Sequence, residues 1–312
     1  VDRWTDRDQS PALTFGLLFH SCLEYNAKLT TIGGVNYETA LHTTVLFAHK
    51  EAQALRGSED TARTPLTLVR AVVWYIEDNR HSPIHPVVLK SGNKAVELDW
   101  EIVLPLTNPD GENYTLRGHI DQVVELPNDE GYAIDEYKTT KMTLGTGYFA
   151  QWKPNNQTTA YALAGRALFF NAPKEAMTGP RVLIRACQTL VNGTRFAIHS
   201  VEYSMPQLEE FLQDTLYWIT KAEEYANMGY WPMNRTACDS KGGCWFRDVC
   251  SRDPSVRPVV LRDQFHKLPS VYESEGFTRL LSIFIPPPNL GEAQTQKDHH
   301  NAENLPNQPS GL

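Results

Sequence analysis

GHIDQVVEL (118–126), PNDEG (127–131), YAIDEYKTTK (132–141) and, after a loop, QTTAYALAGRALFF (157–170) make up the stretch around which the chain is organised. The first and third segments are rich in Val, Ile and Tyr and flank a polar turn, which predicts the two strands of a hairpin. The last segment predicts an amphipathic helix. Side chains two apart in a strand share a face, so Glu136 and Lys138 project together while Asp135 points away. A hairpin folded symmetrically about its turn pairs Leu126 with Gly131 and sets Asp121 across from Glu136. Facing carboxylates weaken a sheet. A hard divalent cation such as magnesium removes that cost, because it takes protein carboxylates together with water and phosphate oxygens. Lys138 then stands beside the ion as a point charge suited to a phosphate oxygen or a polarised water. For any one such pair the bland alternative is a surface hairpin with solvated charges.

Upstream, Val96, Leu98, Trp100, Ile102, Leu104 and Leu106 alternate with other residues, which predicts a half-buried strand over 95–106. Glu97, Asp99 and Glu101 fall on its other face, where solvent is the expected surrounding. Residues 11–29, 38–56 and 65–80 predict helices, punctuated by Thr64-Pro65 and the proline-rich segment 82–86. His81 and His85 lie in that loop and are not assigned to a metal. Downstream, 180–191 and 194–204 predict strands joined by a tight Asn192-Gly193 hairpin. Residues 206–228 predict a long helix with Leu208, Phe211, Leu212, Ile219, Ala222 and Ala226 in one stripe. About five strands, with helices before, within and after them, indicate an α/β fold with a mixed sheet. Residues 256–285 predict a C-terminal extension with a helix near Glu273–Ile283. The proline-containing, apolar-poor stretch 286–312 predicts a disordered tail.

With 41% hydrophobic residues in 312, the chain can build a globular core. Its net charge of -8 argues against a sequence-independent coat for nucleic acid, which is normally basic. An enzyme that gathers carboxylates around a metal is compatible with that charge. No run approaches the length of a membrane span, and no charged-then-apolar leader precedes the first helix. Five cysteines are too few for a disulfide scaffold in a chain of this size, so a reducing, cytoplasmic compartment is expected. Three of them, Cys238, Cys244 and Cys250, crowd into CDSKGGCWFRDVC (238–250), a spacing that favours metal over disulfides. Zinc is one occupant and needs a fourth ligand.

Gly118-x-x-Asp121, Glu136-x-Lys138 and Gln157-x-x-x-Tyr161, in this order and spacing, resemble the PD-(D/E)XK nuclease superfamily. Within it the match is to the RecB-type exonuclease branch, with its AddB-type and CRISPR-associated iron–sulfur relatives. The resemblance spans about residues 11–255. It implies a restriction-endonuclease-like core, in which helices flank a central mixed β-sheet. It further implies a helical insertion near 30–90 and a cysteine-rich lobe near 230–255. In the family's pattern Mg2+ or Mn2+ is held by His20, of Gly16-x-x-x-His20, with Asp121, Glu136 and the backbone carbonyl of Tyr137. Lys138 takes part in catalysis, and Gln157 and Tyr161 reach the same phosphate or orient Lys138. Cys238, Cys244 and Cys250 correspond to three ligands of a [4Fe–4S] cluster. The first cysteine here, Cys22, follows His20, so the fourth ligand is expected upstream of Val1. DNA, as single strands or ends, is the implied substrate, in recombination or repair beside a helicase or recombination partner. Lys141, Tyr148, Trp152 and Lys153 are candidates for tracking a strand by charge and stacking. The alternative is a non-catalytic DNA-binding or complex-stabilising subunit with a structural cysteine site.

Overall fold

Short polar signals set the helix ends in the computed structural model, which describes residues 4–6, 10–32, 35–89, 92–168, 181–267 and 282–284. After β1 (Trp4–Asp6) comes α1 (Pro11–Ile32). The Asn36 side chain accepts from the Thr39 N–H at 2.9 Å and starts α2 (Tyr37–Glu51). Thr64 and Thr67 form a reciprocal cap, with Pro65 at the first turn, and start α3 (Pro65–Asp78). Each such cap contributes about 1 kcal/mol. The short β2 (His85–Pro86) precedes the long strands β3 (Val96–Thr107) and β4 (Asn113–Glu125) and then β5 (Tyr132–Thr140). A single helical turn, α4 (Thr146–Phe149), leads to α5 (Asn156–Leu168). β6 (Arg181–Leu190) and β7 (Gly193–Glu202) form the Asn192-Gly193 hairpin. The helix α6 (Met205–Met228) ends at Gly229, whose φ of +62° is the left-handed cap that glycine adopts without penalty. The C-terminal part holds α7 (Arg247–Cys250), α8 (Arg257–Gln264), β8 (Phe265–Lys267) and β9 (Ser282–Phe284).

The central sheet runs β7-β6-β5-β4-β3-β9, with β2 paired to β4. Its neighbours are antiparallel except β5–β6 and β3–β9, so the sheet is mixed. The parallel β5–β6 pair requires a crossover, and that crossover contains α4 and α5. Helices cover both faces. On one face, Ile120, Ile134, Val182 and Ile184 pack with Ala162 and Leu163 of α5 and Leu208 of α6. On the other, α1, α2 and α3 build a second core from Phe15, Phe19, Leu68 and Val72 over Tyr137 and Cys187. Arg70 of α3 donates to the carbonyls of Leu190, Val191 and Gly193, tying the helical layer to the β6–β7 hairpin.

Several expectations need correction. The stripe on α6 is only half-covered, since Leu208 is its one buried residue. The strand-forming part of the central stretch begins at Asn113 rather than Gly118. The helix expected near Glu273–Ile283 lies outside the described residues apart from its end, and Ser282–Phe284 pairs there as a strand parallel to β3. The tail 286–312 also lies outside them. No helix among the described residues is long and apolar enough to cross a membrane.

Candidate active site

The site forms where two paired strands part. From the turn, β4 and β5 pair as far as Gln122↔Asp135, the register that a symmetric hairpin predicts. Pairing stops one residue short of Asp121 and Glu136, so these do not form the expected rung. Instead the Tyr137 N–H donates to Asp121 Oδ2 at 2.7 Å, while β5 continues along β6 to Thr140↔Gln188. The partner of Asp121 on its other side is also released. Glu97 of β3 adopts φ +50°, and the β3–β4 ladder passes from Leu98↔Ile120 to Val96↔Gln122. A non-glycine residue held in the left-handed region costs on the order of 1–3 kcal/mol. Past this kink the faces exchange, and Ile120 and Val123, three apart, both enter the core beneath α5.

Helices from both layers reach the parting point. From α1, His20 Nδ1 lies 3.3 Å from Asp121 Oδ1, and its ring meets Tyr137 edge-on. Gly16, one turn earlier, lets α1 lie close to β5, since a Cβ there would stand 3.4 Å from Thr139 Oγ1. From α5, Gln157 Nε2 donates to Glu136 Oε1 at 3.0 Å and to the Tyr161 hydroxyl at 2.9 Å. Lys138 Nζ donates to Glu136 Oε1 and, at 3.0 Å, to Gln157 Oε1. The same ammonium sits 5.3 Å from the centre of the Trp152 ring. Asn155 fixes the start of α5 by accepting from the Gln157 and Thr158 N–H groups, so Gln157 stands on the first turn.

Burial dominates the electrostatics. It pushes the Glu136 carboxyl up to about 7, with the Asp121 charge adding to the rise and Lys138 and His20 opposing it. Burial acts upward on Asp121 as well. There the His20 bond and charge, the Tyr137 N–H and Lys138 together outweigh it, and the carboxyl ends below its ordinary value. For His20 burial acts downward and the Asp121 bond and charge upward, with a net rise. Two nearby carboxylates driven apart in this way mark a functional-site candidate.

The donor set suits a hard divalent ion. Glu136 is 2% exposed, and its Oε2 is buried with no hydrogen-bond partner. A buried carboxylate oxygen left unpaired costs free energy that a cation recovers. Asp121 Oδ1 and the His20 imidazole stand beside it. Among the described residues no group of three His, Cys, Asp or Glu side chains forms a ready-made cage. Lys138 and the Tyr137 N–H occupy the other carboxylate oxygens here.

Other expected residues fall elsewhere. Tyr148 is 4% exposed and packs edge-on against Phe149 and Trp152, so burial removes it as a stacking platform. Lys141 pairs with Asp60 at 3.0 Å, and Lys153 donates to the Glu202 carbonyl. Glu97 and Asp99 are not merely solvated, because they clamp His119 from both ring nitrogens. Glu101 pairs with Arg117 at 2.5 Å. Asp135, pointing away from the site, accepts from Arg185 and from Gln122 at 2.7 Å in a fully buried cluster. An arginine in the apolar run of β6 is the signal that could have found that pair. Cys238, Cys244 and Cys250 lie in one short segment, where the Cys244 N–H donates to the Cys238 carbonyl at 3.0 Å, but among the described residues they do not come together as a metal-holding group. β1 pairs with β8, and Phe265 of β8 stacks on Phe246, so the N-terminal strand lies beside this segment.

A family model described as the PD-(D/E)XK nuclease superfamily matches residues 1–251. No curated protein matches the chain. A solved structure titled "Crystal structure of SSO0001" is similar over 66% of this chain and 85% of its own, at 10% identity and a TM-score of 0.27. A likeness that slight carries no argument.

Proposed function

The chain belongs to the PD-(D/E)XK nuclease superfamily, and we propose that this protein is a metal-dependent deoxyribonuclease of the RecB-like exonuclease type. The observation that carries the proposal is the pair of buried carboxylates, Asp121 and Glu136, at the parting of β4 and β5 with Lys138 hydrogen-bonded beside them. Asp121, Glu136, His20 and the Tyr137 carbonyl would hold Mg2+ or Mn2+. Such an ion lowers the pKa of a bound water and stabilises charge on a phosphoryl group. Lys138 offsets charge that develops on the phosphate oxygens as water attacks phosphorus and the ester oxygen leaves. Gln157 holds Lys138 and Glu136 at once, and Tyr161 holds Gln157, so these two act as positioning residues. Trp152 screens the Lys138 ammonium from solvent on one side. The strain at Glu97 and the Tyr137 N–H bond keep Asp121 out of the ladder and available.

The substrate class we favour is DNA with single-stranded character or ends. The net charge of -8 argues against the broad basic surface that a sequence-independent duplex coat needs. The experiment compares an end-labelled single strand, a linear duplex and a closed circle in magnesium. Progressive loss of the linear substrates with the circle intact supports the exonuclease reading. Cutting of the circle would replace it with an endonuclease. We also propose that Cys238, Cys244 and Cys250 share a metal site, as a [4Fe–4S] cluster with a fourth ligand upstream of Val1. The pairing of β1 with β8 supports this by placing the N-terminal strand next to the cysteine segment.

A further inference from the structure

A cavity of about 250 Å³ opens between α1, α3, β2 and the end of the sheet where β4 meets β5. Arg80, Lys94, Arg185 and His85 line it, and no Asp or Glu does. The chain has 37 acidic and 29 basic residues, so this lining runs against its composition. Lys94 carries the strongest demand for a partner. Its Nζ donates to Thr30 Oγ1 at 2.6 Å, and no carboxylate among the described residues acts on it. Burial alone shifts it, downward, with no compensating charge. Lys94 is half-buried, and even partial removal of a cation from water without a counter-ion costs free energy.

The other basic residues of the lining are held by neighbours, and Arg185, already paired with Asp135, adds donors rather than net charge. Arg185 is held by Asp135 on one side and by Asn79 Oδ1 at 2.7 Å on the other. Arg80 lies 4.2 Å above the Tyr37 ring. Its pairs with Glu38 and Glu77, at 3.6 and 3.9 Å, are loose surface contacts worth little. Guanidinium forks with an added ammonium match a phosphate better than a single carboxylate. The volume lies just under the range of about 300–1,000 Å³ that holds whole drug-sized ligands, which suits one phosphoryl group with part of a sugar.

We propose that this cavity binds a phosphate monoester, either the terminal phosphate of a nucleic-acid strand or a free nucleoside monophosphate, with Lys94 as its principal anchor. The site goes beyond the nuclease reading and does not depend on it. Tyr137 lines the cavity and touches Asp121 through its N–H, so the two sites share a wall. Alternation along β5 puts Glu136 and Lys138 on the far side of that wall.

The test is calorimetric titration of the full chain in EDTA, which keeps the carboxylate site out of the measurement. The probes are deoxyadenosine 5′-monophosphate and short oligothymidylates with or without a terminal phosphate at either end. Saturable binding of a phosphorylated probe is expected. Lys94→Ala should weaken it at least about tenfold and Arg80→Ala severalfold, with Lys94→Arg retaining most of it. Arg80 is an exposed residue past the end of α3, so its variant keeps the test valid if Lys94→Ala fails to fold. Preference for a phosphorylated over an unphosphorylated oligothymidylate assigns the site to a strand end. Binding of the mononucleotide with no such preference assigns it to free nucleotide. No saturable binding of any phosphorylated probe up to about 10 mM would overturn the proposal. So would binding that both alanine variants leave unchanged.

Discussion

Replacing Glu136 by Gln should make the metal-free protein more stable at alkaline pH. Glu136 Oε1 accepts from Lys138 and Gln157, but Oε2 is buried without a partner, and burial raises the carboxyl from 4.5 to about 7. The folded state therefore binds this proton more tightly than the unfolded chain does. Its contribution to stability is complete below the unfolded value and is lost as pH rises through the folded one. That rise corresponds to roughly 3 kcal/mol between acid and alkaline conditions. In a chain of this size the loss shows as a fall in Tm on the order of 5–10 °C. His20, also raised, loses its contribution in the same direction; the Asp121 bond and charge that raise it remain in both proteins, and the smaller part due to the Glu136 charge goes with the variant. Asp121 is lowered, so its contribution fails only in acid, below this window. The assay is thermal melting in EDTA from mildly acidic to mildly alkaline pH, wild type against Glu136→Gln. The two should converge in acid below about pH 4.5, diverge as pH rises from there to about 7, and stay apart above it with the variant higher. Magnesium should then stabilise the wild type, by about 2.7 kcal/mol at a hundredfold excess over Kd, and leave the variant nearly unmoved. Parallel melting curves across the whole range would refute the argument that Glu136 is a strained, metal-seeking carboxylate.

Lys138→Ala should lower the turnover number by something on the order of 10²–10³, the usual loss when one electrostatic stabiliser is removed. Its magnesium affinity, read from magnesium-dependent melting, should hold or tighten, since Lys138 competes for Glu136. Gly118→Ala should destabilise by about 1–3 kcal/mol through overpacking, because its Cβ would come 2.3 Å from the Trp100 ring. Denaturant midpoints at unchanged slope measure this, and an unaltered midpoint would contradict the packing. A chain extended upstream by a few tens of residues should purify brown under anaerobic conditions with stoichiometric iron and sulfide, while the chain starting at Val1 should not. Stoichiometric zinc in a colourless extended protein would reassign the cysteines.

Much of the central hairpin was legible because its chemistry is local. The Pro-Asn-Asp-Glu-Gly turn gave the register that β4 and β5 follow, with Leu126 N–H donating to the Gly131 carbonyl at 2.8 Å. Alternation marked β3, and Asn192-Gly193 marked the β6–β7 turn. Strand spacing set Glu136 beside Lys138 and helix spacing set Gln157 beside Tyr161; that the two pairs belong to one site was implied by the family resemblance alone. What could not be read depends on contacts distant in sequence. The parting of β4 from β5 at Asp121 coincides with a kink at Glu97 in a third strand. The parallel alignment of β5 with β6 decides which strands flank the site, and no local signal announces it. Tyr148 was ambiguous between stacking platform and core residue, and only its neighbours Phe149 and Trp152 resolve that. Asp135 and Arg185 lie in separate strands, and each alone looks like an isolated charge.

The most direct measurement of the central claim is the rate at which a labelled single-stranded DNA is cut in magnesium, by wild type and by Asp121→Ala brought to the same folded fraction. Asp121 is held between two elements, with His20 of α1 on one side and the Tyr137 N–H of β5 on the other. The account predicts cleavage by the wild type that EDTA abolishes and magnesium or manganese restores. It predicts that Asp121→Ala, although folded, cuts no faster than the buffer control. An Asp121→Ala protein that cuts at the wild-type rate, or a wild-type activity that persists in EDTA, would contradict it.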